Sequence, residues 1–268
     1  MNTLKNHVLL YDKDCPLCDF YTHAFVKTKM LDENGRQDFC SMNHSSFPHL
    51  NMARSRDEIA LINTQTGNIS YGIDSLFKIL SNGLPFLSWI LNRSFFKTIM
   101  SKVYAFISYN RKVIAPAKQF ELPGSCTPSY NLKYRWLYII VSWAFTSFIL
   151  NHYAVKISPI VPDTNFIREW LVCGGQVIFQ SVIVGFMRRN RLVHYLGNMM
   201  TVSNIGALLL LPGLLIPIQT PILYLVWFFL VVAFMLYEHH RRCKILEIPI
   251  GVSVSWVVYR LIVAWVIL

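Results

Sequence analysis

The sequence is poor in charge, and in negative charge above all: its 268 residues hold 14 Asp/Glu against 25 Lys/Arg, and charged residues make up 15% of the total. With 54% hydrophobic residues beside that deficit, a disordered or collagen-like chain is excluded and a wholly soluble globule fits badly. Cysteine is sparse too. Its six positions, 15, 18, 40, 126, 173 and 243, are scattered over the whole length, unlike the dense framework of a disulfide-stapled secreted domain. An apolar leader is also missing. Met1 to Leu10 offers only Val8, Leu9 and Leu10 before Asp12, Lys13 and Asp14, short of the roughly 7 to 15 apolar residues of an export signal. The first segment is therefore expected to stay where it is made. The net charge of +11 does not point to nucleic acid, because the basic residues lie between apolar runs rather than along one polar face. No nucleic-acid partner is expected.

What is present divides the chain in two. Residues 1–134 carry 15 Lys/Arg and 10 Asp/Glu, and residues 135–268 carry 10 and 4. The second half contains five stretches near the roughly 20 apolar residues needed to span a bilayer: Trp136 to Val155, Trp170 to Met187, Leu196 to Ile218, Ile222 to Tyr237 and Ile248 to Leu268. Pro212 and Pro217 interrupt the third and the fourth is short, which leaves a re-entrant pair or kinked hairpin open there. Alternate threading puts Lys133, Arg135, Arg188, Arg189, Arg191, Arg241, Arg242 and Lys244 on one side and Lys156 and Arg168 on the other. Basic residues accumulate on the cytoplasmic side, so residues 1–134 are expected in the cytoplasm and Leu268 outside. Trp136, Tyr153, Trp170 and Tyr237 stand at span ends, where amphipathic rings favour the interface. Arg260 lies deep in the fifth stretch and calls for an internal partner.

The first half reads as a small α/β domain. His7 to Tyr11 is an apolar run of strand formers. After Asp12 to Cys18, the residues Phe20, Ala24, Phe25 and Lys27 to Leu31 fit a helix ending near Asn34 and Gly35. Gln37 to Met42 is a candidate second strand. Glu58 to Asn63 and Asn68 to Gly72 form a hairpin around Gly67. Helices are expected at Ile73 to Leu80, Phe86 to Leu91 and Phe95 to Ser108; the last is amphipathic and suited to covering the sheet or resting on a membrane surface. The expected boundaries are a domain at 1–125, a linker at 126–135 and a transmembrane helical domain at 136–268.

Strand, Cys-x-x-Cys, helix is the thioredoxin-like context in which that motif carries redox chemistry. Cys15 and Cys18 open the first helix, where unpaired N–H groups and the helix dipole favour a thiolate. Cys15 is the expected nucleophile and Cys18 the resolving thiol, with Pro16 fitting the first turn. Asp12 is either a proton-handling carboxylate or a surface or turn residue.

The segment Leu10, Tyr11, Asp12, Lys13, Asp14, Cys15, Pro16, Leu17, Cys18 resembles the DCC family of thiol-disulfide oxidoreductases, named for its Asp-x-x-Cys-x-x-Cys pattern. The similarity continues through Thr66 to Asp74, then Leu84, Pro85 and Trp89, and ends at Tyr109, Asn110 and Arg111, which look like the family's terminal signature. The resemblance covers roughly residues 7–117 and implies a thioredoxin-like fold with dithiol–disulfide exchange at Cys15 and Cys18. It departs from thioredoxins in general before the strand at Glu58, where Ala53 to Asp57 contain no proline, so their mode of substrate docking does not carry over.

The rival chemistry is a zinc site. Cys15, Cys18, Cys40 and His44, with His49 nearby, supply a suitable ligand set, but zinc knuckles favour Gly-rich turns over a strand–helix junction. No metal and no cofactor are expected. Cys40, Cys126, Cys173 and Cys243 read as apolar fillers or reduced thiols. The whole chain is thus expected to be an α/β thioredoxin-like domain followed by an all-α transmembrane bundle of about five spans. Its function would be that of a membrane-tethered thiol–disulfide oxidoreductase. Its partners would be a protein or small-molecule thiol or disulfide substrate, the lipid bilayer and a membrane partner protein. The alternative is a membrane transport or scaffold protein whose cytoplasmic domain senses redox state or binds zinc.

Overall fold

The computed structural model describes residues 2–42, 47–116, 129–158, 160–161, 166–216 and 220–267. The chain divides into two compact units, Met1–Tyr134 and Arg135–Leu268.

The first unit is a small mixed sheet with helices. Its elements run β1 (His7–Tyr11), α1 (Pro16–Lys27), β2 (Arg36–Asp38), α2 (Met52–Asp57), β3 (Ala60–Asn63), β4 (Ile69–Tyr71) and α3 (Ile73–Gly83). A 3-10 turn, α4 (Ser88–Leu91) and α5 (Ser94–Ile114) follow. The strand order is β2-β1-β3-β4. β1 lies parallel to β2 and antiparallel to β3, and β3 is antiparallel to β4.

The continuous apolar run of β1 has a physical reason: both faces of the sheet are covered. Alternate side chains point to opposite faces, so Leu9 and Leu61 pack with Met30, Leu31, Ile59 and Ile79 on one side. Leu10, Ala60 and Ile62 pack with Phe39, Met42 and Leu50 on the other. Gly72 joins β4 to α3 with φ of 57°, and a Cβ there would sit 2.7 Å from Glu58 Oε2. Both the conformation and the space favour glycine.

Several elements differ from the sequence reading. α1 stops at Lys27 because Thr28 caps it and Lys29 turns left-handed with φ of 58°. That turn sends Met30 and Leu31 into the core instead of along a longer helix. Phe20, expected on the apolar face of α1, is exposed. β2 is shorter than Gln37 to Met42, and α2 is an unforeseen helix capped by Asn51, whose side chain accepts the Arg54 N–H. α5 runs six residues past Ser108, which brings Tyr109, Asn110 and Arg111 into the helix.

The second unit is mostly helical: α6 (Leu132–Ile157), whose first residues belong to the first unit, α7 (Phe166–Arg188), α8 (Leu192–Leu215), α9 (Pro221–Ile245) and α10 (Gly251–Ile267). Three stretches are long and apolar enough to cross a membrane, Leu132–Ile157, Ile167–Leu215 and Pro221–Ile245, while Gly251–Ile267 is a shorter apolar helix. The 3-10 turn Arg189–Arg191 separates α7 from α8. The fourth stretch is not short, since α9 continues through Glu238 to Ile245. Its charges are absorbed locally: Glu238 accepts from Arg241 (2.7 Å) and from Arg242 (2.8 Å), and Arg242 also donates to Asn198 (3.0 Å).

Large apolar side chains are exposed on this unit, and several polar ones are buried among its apolar core. Phe186 and Trp265 are 89% and 82% exposed, whereas Gln180 and His239 are 0% and 1% exposed. Tyr195 Oη donates to Gln180 Oε1 (3.0 Å) and lies 2.9 Å from His239 Nε2. Asn204 donates to Ser142 (2.8 Å). Interhelical hydrogen bonds of this kind are typical of apolar helices packed together. The Arg260 guanidinium stacks on the Trp256 ring, 4.1 Å from its centroid.

Candidate functional site

β1 delivers the chain to the site at Tyr11. A tight turn follows, in which the Asp12 carboxylate accepts the Asp14 N–H (3.0 Å) and the Asp12 carbonyl accepts the Cys15 N–H (3.2 Å). Cys15 is the N-cap of α1, with extended backbone and Pro16 in the first turn. Its sulfur accepts the Cys18 N–H at 3.4 Å, one of the orphan donors of the helix start. Both thiols are free and buried, 4% and 3% exposed, and pack against Tyr11, Leu17 and Tyr21. Arg36 of β2 donates to both the Tyr11 hydroxyl and the Asp19 carboxylate, which fastens the first turns of α1 to the sheet.

The two thiols are electrostatically unequal. A hydrogen bond from the Cys18 thiol lowers the Cys15 pKa to about 7, against the opposing effect of burial. The Arg111 charge and the Cys18 N–H act in the same direction, while the Asp12 charge opposes them. Cys18 is pushed far up, first by its hydrogen bond to Cys15 and then by burial. Above about pH 7 the pair therefore favours a thiolate on Cys15 while Cys18 keeps its proton. A thiolate that attacks and a neighbouring thiol that waits is the arrangement dithiol exchange requires.

Arg111 reaches the site from α5, 99 positions along the chain from Asp12. Its Nη2 donates to Asp12 Oδ2 (3.1 Å), and the two side chains are 5% and 9% exposed. The same nitrogen donates to the Arg56 carbonyl (3.1 Å) and Nη1 to the Asp57 carbonyl (3.4 Å). Ser108 adds a 2.6 Å bond to Asp57 O, and the Tyr104 hydroxyl accepts the Ile59 N–H (3.1 Å). The sheet-facing side of α5 thus fixes the segment before β3 that lacks a proline. Asp12 is at once a turn residue and the buried ion partner of Arg111; it is not a surface carboxylate. Sequence reasoning placed Arg111 only in a terminal signature. The signal for more was a lone cation three and seven residues after Ser108 and Tyr104, on the face that covers the sheet.

The remaining candidates separate. Cys40 is exposed and disulfide-bonded, which corrects its reading as a reduced thiol or filler and takes it out of a zinc set. His44 and Cys126 lie outside the described residues. Among the described residues no group of three or more His, Cys, Asp or Glu side chains could hold a metal ion. Cys243 is buried beside His239, and Cys173 is half-buried in α7.

No curated protein and no solved structure matches the chain. One family does: the sequence model of the DCC1-like thiol-disulfide oxidoreductases matches residues 9–115. That span begins within β1 and closes just past Arg111, so it takes in Asp12, Cys15, Cys18 and their arginine. Residues 9–115 are a DCC1-like thiol-disulfide oxidoreductase domain.

Proposed function

We propose that the protein is a membrane-tethered thiol–disulfide oxidoreductase that works through Cys15 and Cys18. The observation that carries this reading is the pair of free thiols at the start of α1, where Cys15 is the N-cap and its sulfur accepts the Cys18 N–H at 3.4 Å; the lowered Cys15 and raised Cys18 pKa values agree with it. The β2-β1-β3-β4 order and the place of Cys15 between β1 and α1 support a thioredoxin-like domain, with boundaries at about 1–125 and a linker at 126–135.

The Cys15 thiolate attacks one sulfur of a protein or small-molecule disulfide. A mixed disulfide forms on Cys15, the substrate S–S bond breaks, and one substrate thiolate leaves. Cys18 then loses its proton to the medium or the departing group and attacks Cys15 Sγ. The second substrate thiol leaves, the substrate has gained two electrons, and the Cys15–Cys18 pair is a disulfide. A thiol donor reverses the last state and completes the cycle. Arg111 acts through charge, favouring the Cys15 thiolate, and Asp12 holds Arg111 in position.

The apolar helices α6 to α10 tether the domain. Five crossings with the N-terminal domain in the cytoplasm and Leu268 outside accord with the basic residues at 188–191 and 241–244.

The test is trapping in the full-length protein. Cys18→Ser should accumulate a mixed disulfide on Cys15 with substrate or with a small-molecule disulfide such as oxidised glutathione, and Cys15→Ser should accumulate none. Equal adduct formation in both variants contradicts the assignment. Maleimide labelling of a cysteine placed at exposed Gln65 in sealed vesicles reads orientation, with access only from the cytoplasmic face expected.

A further inference from the structure

Among the described residues, large side chains on the face of α4 and α5 that points away from the sheet are exposed. The two sides of helix α5 differ in what they meet. Phe96, Tyr104, Ser108 and Arg111 face the domain: Phe96 stacks on Phe77, and the other three bond to the 56–59 segment or Asp12. Phe95, Ile99 and Lys102 share the other side and are exposed, as is Val103 at the boundary beside Phe96. The preceding turns add Phe86 and Trp89. Phe86, Trp89 and Phe95 are 69%, 67% and 79% exposed, a concentration of large aromatic surface that a soluble face rarely shows.

The charge around this patch is predominantly basic. From Ser75 to Phe120 the sequence contains seven basic residues, Lys78, Arg93, Lys97, Lys102, Arg111, Lys112 and Lys118, and no Asp or Glu. Arg111 is spent in the dithiol site and Lys97 pairs with Asp74 at 2.9 Å. Lys78, Arg93 and Lys102 are exposed. Lys78 and Lys97 line one shallow pocket with Ser81, Asn92 and Asp74. Exposed Trp and Phe flanked by Lys and Arg form the composition of a helix that lies in a lipid headgroup layer. Rings enter the acyl boundary and basic groups meet anionic phosphates.

We infer that the α4–α5 face is a membrane-docking surface, with an anionic bilayer leaflet as its occupant. Phe86, Trp89, Phe95 and Ile99 insert, and Lys78, Arg93 and Lys102 contact headgroup phosphates. The inference rests on the reading of this chain as membrane-tethered, since tethering supplies the bilayer at high local concentration. Docking by this face orients the domain relative to the leaflet, because Arg111, which bonds to Asp12 in the dithiol site, lies on the sheet-facing side of α5.

The test uses full-length protein reconstituted in vesicles of phosphatidylcholine with phosphatidylglycerol, and in phosphatidylcholine alone. A photoreactive p-benzoylphenylalanine replaces Phe95, exposed Gln65 in the β3–β4 turn, or Phe229, an exposed residue of α9, and adducts are identified by mass. Lipid adducts at position 95 and at 229, with none at 65, are expected. At position 95 the yield should fall at least about threefold in phosphatidylcholine alone. A comparable fall is expected in the variant Lys78→Glu, Arg93→Glu, Lys102→Glu in the mixed vesicles. Adducts at 229 without adducts at 95 overturn the docking surface and leave the tether standing. Chain-to-chain adducts at 95 assign the face to a second copy and overturn the proposal. A yield at 95 insensitive to both lipid charge and the triple variant also overturns it. Failure at 229 as well removes the membrane reading itself.

Discussion

Replacing Arg111 with Met separates the electrostatic account of the site from a merely structural one. The guanidinium is 5% exposed and 3.1 Å from Asp12 Oδ2. Its removal leaves Asp12 buried without its ion partner, which costs about 3–5 kcal/mol of domain stability. It also removes the second-ranked of the influences that favour the Cys15 thiolate, after the Cys18 hydrogen bond. The Cys15 titration midpoint, about 7 in the native protein, should rise by about one pH unit, equivalent to ~1.4 kcal/mol. At pH 7 the thiolate fraction then falls from about one half to roughly one tenth, and alkylation slows about fivefold. Asp12→Asn acts oppositely, because the Asp12 charge disfavours the Cys15 thiolate, and its midpoint should fall below the native one. Both variants break the same ion pair, so loosening alone would move them the same way. The assay is the pH dependence of iodoacetamide alkylation at Cys15, read by mass in full-length protein. Midpoints that shift in the same direction, or not at all, refute the argument.

The same titration fixes the native pH profile. A thiol lowered in the folded protein is stabilised as thiolate above its ordinary pKa, and that advantage is lost as pH falls through about 7. Alkylation of native Cys15 should therefore drop about tenfold per pH unit below pH 6. Tyr104→Phe orphans the buried Ile59 N–H and should cost about 1–3 kcal/mol in denaturant unfolding of the domain, with the Cys15 midpoint unchanged. Glu238→Gln strips the carboxylate from Arg242, whose side chain is 5% exposed, and should cost about 3–5 kcal/mol, seen as a lower Tm in detergent; an unchanged Tm contradicts the burial of that pair.

Local chemistry made much of the first unit legible. The His7–Tyr11 run, the Gly67 hairpin and the Pro16 start all carry signals within a few residues, and they place Cys15 and Cys18 at a strand–helix junction. The end of α1 was not legible in the same way. Apolar spacing continues to Leu31, and the stop is a left-handed Lys29 that no Gly or Asn marks. Helix α2, six residues of mixed polarity, had only its Asn51 cap to announce it. The Asp12–Arg111 pair joins residues 99 apart, and no local periodicity reports a contact between α5 and the turn after β1. In the second half, hydropathy located all five helices. It shortened α9 because the Glu238–Arg242 pair hides charges that a residue-by-residue reading counts as exposed.

The proposed two-electron exchange at Cys15 and Cys18 is read most directly from their redox equilibrium. Full-length protein is equilibrated in glutathione or dithiothreitol buffers across roughly −300 to −120 mV, the range spanned by dithiol carriers. It is then acid-quenched and its thiols are alkylated and weighed. The account predicts one reversible two-electron transition linking Cys15 to Cys18, abolished in Cys15→Ser. Two thiols that stay independently reduced across that range, with no Cys15–Cys18 disulfide at any potential, would contradict it.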